Sequence, residues 1–124
     1  MTYSTLLTDA LNEVQPFKKK YEEYINNRML DNDDGMHIVF GYAFAPLLID
    51  AIKDNDMPTI RQLCAFLEKM ARCDDLRVQD VCDQSIIEAV AGEYPDDVIV
   101  PLFGKNTLEG LMAVREYIWE PEIA

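Results

Sequence analysis

Asp56-Met57-Pro58-Thr59-Ile60-Arg61-Gln62-Leu63-Cys64-Ala65-Phe66-Leu67-Glu68-Lys69-Met70-Ala71-Arg72 decides the fold class. Ile60, Leu63, Cys64, Leu67, Met70 and Ala71 recur at helical spacing, while Arg61, Glu68, Lys69 and Arg72 occupy the other side. That is the period of an amphipathic α-helix, and it persists for longer than a strand would. Asp56 is suited to accept a hydrogen bond from the first turn. Pro58 fits that turn because its missing N–H is no loss there.

Downstream the pattern repeats. Asp74 or Asp75 caps a helix whose inner face is Val78, Val81, Cys82, Ser85, Ile86, Ala89 and Val90, and Gly92 is the natural C-terminal cap. A loop over 93–104 follows, punctuated by Pro95 and Pro101, in which Val98, Ile99 and Val100 suit an extended piece. A last helix starts after Asn106 or Thr107, buries Leu108, Leu111, Met112, Ile118 and Trp119, and ends at Pro121. Upstream, Tyr3, Leu6, Leu7, Ala10, Leu11 and Val14 form a helical stripe closed by Pro16. Phe17, Tyr21, Tyr24, Ile25 and Met29 form a second, which ends at the turn formers Asp31-Asn32-Asp33-Asp34-Gly35. The stretch over 38–45 is apolar on every side, so buried strand and buried helix stay open there. Pro46 places a helix start near Ala45 or Pro46.

The expected fold is all-α: one domain over 1–124 of five to six antiparallel amphipathic helices, bundle-like or helical-repeat-like, with short extended segments admitted near 38–44 and 98–100. A chain of 124 residues is the size of one domain and can bury a core without a staple. With 49% hydrophobic residues it does not stay disordered.

Eleven Lys and Arg against 23 Asp and Glu give a formal net charge of −12. Phosphate binding needs the opposite sign, so neither nucleic acid nor an anionic membrane is expected as a ligand. A cationic partner is favoured. The three cysteines, Cys64, Cys73 and Cys82, form no C-x-x-C pair, and His37 is the one histidine. Reduced structural thiols, no metal site and no cofactor are expected. The N-terminus lacks the basic and apolar regions of a secretory signal, and the apolar run over 38–49 is short for a membrane span. The expected location is cytoplasmic.

Chemistry-bearing patterns are weak. Setting Gly35 at the sixth position of a calcium loop puts Leu30 and Gly41 where carboxylates belong, so the acidic turn fails as an EF-hand. A Ser85 nucleophile could draw on no histidine but His37, which reads more simply as a residue beside a turn. No enzyme is expected. The arrangement of acids is more informative. In an up-and-down bundle alternate loops share an end. Asp31, Asp33, Asp34, Asp74 and Asp75 then gather at one end, and Asp54, Asp56, Glu93, Asp96 and Asp97 at the other. Asp80, Asp83 and Glu88 project from the outer side of the fifth helix. Helix capping alone accounts well for Asp56, Asp74 and Asp75. As partner-binding residues the sequence offers Asp31, Asp33, Asp34, Asp74, Asp75, Asp80 and Asp83, with Tyr42 and Tyr94 as aromatic anchors.

His37-Ile38-Val39-Phe40-Gly41 and Phe44-Ala45-Pro46-Leu47-Leu48, then Phe66-Leu67-Glu68-Lys69-Met70, Ser85-Ile86-Ile87-Glu88 and Pro101-Leu102-Phe103-Gly104-Lys105-Asn106-Thr107 leading to Trp119, resemble a family of small uncharacterised bacterial all-helical domains. The resemblance covers roughly 15–119 and implies no activity or site residues. Small acidic helical domains of this kind are similar to immunity proteins, which neutralise a toxin. The expected function is therefore an acidic protein-binding domain, most concretely an immunity-type inhibitor masking a basic toxin. The alternative is a general helical interaction module without catalytic activity, in which case homo-oligomerisation stays open.

Overall fold

The computed structural model describes the backbone over 1–123 and the side chains over 1–116. Among the described residues seven helices follow one another: α1 Leu6–Glu13, α2 Gln15–Asn26, α3 Met36–Lys53, α4 Met57–Ala71, α5 over 76–93, a short α6 Asp96–Ile99 that tightens into the 3-10 turn Val100–Leu102, and α7 Lys105–Ile123. There is no strand among the described residues. The all-α single-domain expectation matches this architecture, with more helices than five to six.

Some local expectations are settled or corrected. The stretch over 38–44, left open between strand and helix, is helical, and the one over 98–100 is helical, not extended, because both continue neighbouring helices. Pro46 does not begin a helix from nothing: α3 runs through it from Met36. A π turn over Phe40–Phe44 precedes the proline, and Ala45 N–H bonds Phe40 O five residues back. The wider turn accommodates a residue that lacks an N–H and whose ring crowds the preceding turn. Gly92 lies within α5, which ends at Glu93 with Tyr94 extended behind it.

Two loops end their helices with residues in left-handed conformation, Arg28 at φ 60° and Asn55 at φ 57°. Behind each, an N–H reaches back five residues, Met29 to Tyr24 O and Asp56 to Ala51 O. This closure turns Met29 out to 61% exposure, although it belonged to the expected buried stripe.

The core is built around aromatic rings. Phe17 of α2 lies 5.2 Å from Phe40 and 5.4 Å from Phe44 of α3, and Phe44 lies 6.2 Å from Phe66 of α4. By length and composition α3 is apolar enough to cross a membrane. In this fold it is the central helix, with Phe40, Phe44 and Leu48 fully buried.

A second π turn, Val81–Ile87, interrupts α5, and Glu88 N–H bonds Asp83 O five residues back. Each extra residue in a turn rotates the following face by about 100°. The buried set of α5 therefore becomes Val78, Val81, Cys82, Ile86, Ile87, Val90 and Ala91. Ile87 and Ala91 fall outside a 3.6-residue stripe and are buried for this reason. In α7 Leu111 and Thr107 are buried, whereas Met112 is 64% exposed and leaves the expected stripe. α7 continues past Pro121 to Ile123, so that proline does not terminate it. The expected burial of Ile118 and Trp119 lies outside the described side chains.

Candidate functional site

α3 and α5 meet at their π turns, and the meeting brings together residues far apart in sequence. His37 Nδ1 and Ser85 Oγ are 2.7 Å apart. One turn after His37, Gly41 faces the backbone of Ser85. On the other side α7 packs so closely that a Cβ on Gly110 would stand 2.5 Å from Asp83 Oδ1 and 2.9 Å from Ile87 Cδ1. The three helices enclose a groove of about 760 Å³, lined by His37, Asp83, Gln84, Ser85, Glu88, Ala113 and Val114.

Asp83 is the unusual group in this groove. It is half-buried rather than projecting outward. Burial, and then the nearby Asp80 charge, push its carboxyl above the usual aspartate value. Among the described residues no hydrogen bond or ion pair reaches its side chain. Beside the groove Ile38 is 45% and Tyr42 60% exposed. Each follows a residue of the His37–Gly41 contact line, so it is turned about 100° outward from it.

The other expected residues divide into free and engaged groups. Asp31 and Asp33 are exposed, but their turn caps itself: Asp31 N–H donates to Asp34 Oδ2 at 2.8 Å and Asp33 N–H to Asp31 Oδ1 at 3.1 Å. Asp34 lies near Tyr21, whose phenol is raised by burial and then by that charge. Asp74 and Asp80 are exposed. Asp75 caps α5, accepting from Arg77 N–H and from its guanidinium, and from Tyr3 N–H at 2.8 Å. The Arg77 side chain and then Tyr3 N–H hold the Asp75 carboxyl below the usual range. The turns over 31–34 and 74–75 share no hydrogen bond or ion pair among the described residues. Of the acids expected at the opposite end, Glu93 and Asp54 lie near Tyr94, together with Asp50, while Asp96 pairs with Arg115. Tyr94 donates its hydroxyl proton to Ile49 O at 2.8 Å, and burial and then Glu93, Asp50 and Asp54 raise its phenol. Tyr94 is thus anchored inward, while Tyr42 stands free.

Glu68 went unassigned in the sequence beyond its outer-face position. It reaches from α4 to the N-terminus of α7, where Oε2 accepts from Asn106 N–H and Nδ2 and Oε1 from Thr107 N–H and Oγ1. Burial works against its charged form, yet these donors outweigh burial and lower its pKa. Gly104 makes the reach possible, since a Cβ there would stand 2.6 Å from Glu68 Oε1. Arg115 ties α7 to the end of α5 and the start of α6 through Ala91 O, Tyr94 O and Asp96. No three His, Cys, Asp or Glu side chains group to hold a metal among the described residues.

The model of a family described as a domain of unknown function, DUF7674, matches residues 5–120. The chain belongs to the DUF7674 family. No curated protein and no solved structure matches it. Within this DUF7674 domain the match runs from the start of α1 into α7, so it takes in all three walls of the groove.

Proposed function

We propose that this domain is an acidic protein-binding module that covers a basic surface of a partner, most concretely a cytoplasmic immunity-type inhibitor that masks a toxin. The carrying observation is the surplus of surface carboxylates without a cation. Against 23 acids stand 11 Lys and Arg, and the ion pairs among the described residues engage Glu13, Asp75 and Asp96. A toxin that holds nucleic acid must itself be basic, so an acidic cover competes directly with its substrate. The mechanism is steric and electrostatic occlusion. No catalysis is assigned: His37 and Ser85 touch, but no carboxylate hydrogen-bonds His37 among the described side chains, and an acyl-transfer site needs that orienting group.

Capture from a lysate of the native cell at low and high salt, read by mass spectrometry, tests the reading. A basic partner retained at low salt and depleted at high salt is expected. Recovery of the bait alone at both salts contradicts it. With the partner purified, reversing Asp31, Asp33 and Asp34 to Lys is expected to slow association about tenfold if that turn faces it. An unchanged rate moves the contact elsewhere.

A second reading, a self-associating helical module, draws on the exposed Ile38 and Tyr42. Light scattering separates the two. A concentration-independent monomer removes self-association.

A further inference from the structure

We infer that the groove between α3, α5 and α7 seats an arginine side chain presented by the partner protein. The inference rests on the binding reading above and gives it a place and a chemistry.

Asp83 and Glu88, the two carboxylates that line the groove among the described residues, lack a cationic neighbour in its wall, since no described Lys or Arg lines it. Asp83 is half-buried without a hydrogen bond among the described residues, so part of its hydration is already lost with nothing in return. A guanidinium supplies what is missing. Its planar fork donates in pairs to a carboxylate, and it is more weakly hydrated than an ammonium. Gln84 offers a further acceptor, and Ala113 and Val114 offer an apolar wall for the methylene stem. Carboxylates exclude an anion, and the absence of a third close ligand among the described residues disfavours a metal ion.

The exposed apolar surface around the groove points to arginine within a protein rather than a free amine. Ile38 and Tyr42 stand exposed beside the groove and Met112 next to Ala113, so flanking apolar side chains of a partner have surface to cover. Both π turns lie beneath this spot, and such turns recur at functional sites. Gly110 lets α7 close over Asp83 without displacing it.

The probe is N-acetyl-arginine methylamide, titrated into the full chain and followed by amide shifts in 15N-correlated NMR. Its neutral isostere N-acetyl-citrulline methylamide serves as control. Saturable shifts confined to 37–42, 83–88 and 112–114 are expected with the arginine probe, at least tenfold weaker with citrulline. They are expected to disappear in Asp83→Asn and to weaken in Glu88→Gln, an exposed position where folding is not at stake. Asp31→Asn/Asp33→Asn is expected to bind the probe like the parent chain. Shifts spread over every acidic turn without saturation overturn the inference, as does unaltered binding by Asp83→Asn and Glu88→Gln. The two readings fail separately. A basic partner captured equally well by Asp83→Asn/Glu88→Gln overturns the groove and leaves the binding reading. Groove-confined arginine binding with no partner captured does the reverse.

Discussion

Glu68 and Asp83 are both half-buried carboxylates on neighbouring helices, and their surroundings push them in opposite directions. Glu68 satisfies four donors at the start of α7 and has a lowered pKa. Its contribution to stability is present above the ordinary glutamate value near 4.5 and is lost as pH falls through the lowered folded value. Glu68→Ala is expected to cost about 1–2 kcal/mol at neutral pH, since it removes a cap and orphans donors. Urea unfolding at pH 7 and at low pH checks this, because the difference from the parent chain must shrink in acid. Asp83 carries the opposite sign. Its pKa is raised in the fold, so its charge opposes folding at neutral pH and the penalty fades as pH falls through the raised value. Asp83→Asn is therefore expected to raise stability by about 0.5–1 kcal/mol while abolishing arginine binding. A lower unfolding midpoint would mean that Asp83 has a structural partner. The thiols are a further residue-scale test. Burial pushes Cys64 up to about 11 and Cys82 well above its ordinary value, whereas Cys73 is half-buried. Iodoacetamide at pH 8 is expected to label Cys73 alone in the folded chain, as read by peptide mass.

At the scale of elements, the helices were legible and the π turns were not. The run ending at Arg72 carried a cap, a proline and a stripe, and the run ending at Val14 a stripe and a closing proline. Asp56 does accept from Thr59 N–H, and Val14 does break the chain before Pro16. A period of 3.6 cannot anticipate an inserted residue, so it assigned Ala89 to the core and overlooked Ile87. The available clue was apolar spacing of five, Phe40 to Ala45 and Cys82 to Ile87. Helix packing makes its own prediction at the two glycines of α5 and α7. Gly110→Ala drives a Cβ into Asp83 and Ile87 and is expected to cost about 1–3 kcal/mol despite better helix propensity. Gly92→Ala meets nothing within 4 Å and is expected to stabilise by about 0.5–1 kcal/mol. Thermal unfolding of the two variants reads both, and equal shifts would contradict the close approach of α7.

For the whole molecule, charge was fully legible and the site was not. The excess of acids follows from composition, and folding leaves it unchanged because each internal ion pair uses one acid and one base. The groove depends on contacts such as His37 with Ser85, separated by 48 positions, and on α7 closing against α5 at Gly110. Nothing in local spacing announces such contacts. Of the acids that alternation of loops assigns to one end, Asp54 and Glu93 do lie near Tyr94, beside Asp50 of α3, whereas Asp75 is occupied with Tyr3 and Arg77.

The central claim is that this acidic surface captures a basic protein, and the association rate of a purified partner against ionic strength tests it most directly. The account predicts a rate that falls steeply, by about tenfold or more, between low and physiological salt. A rate indifferent to salt would contradict it.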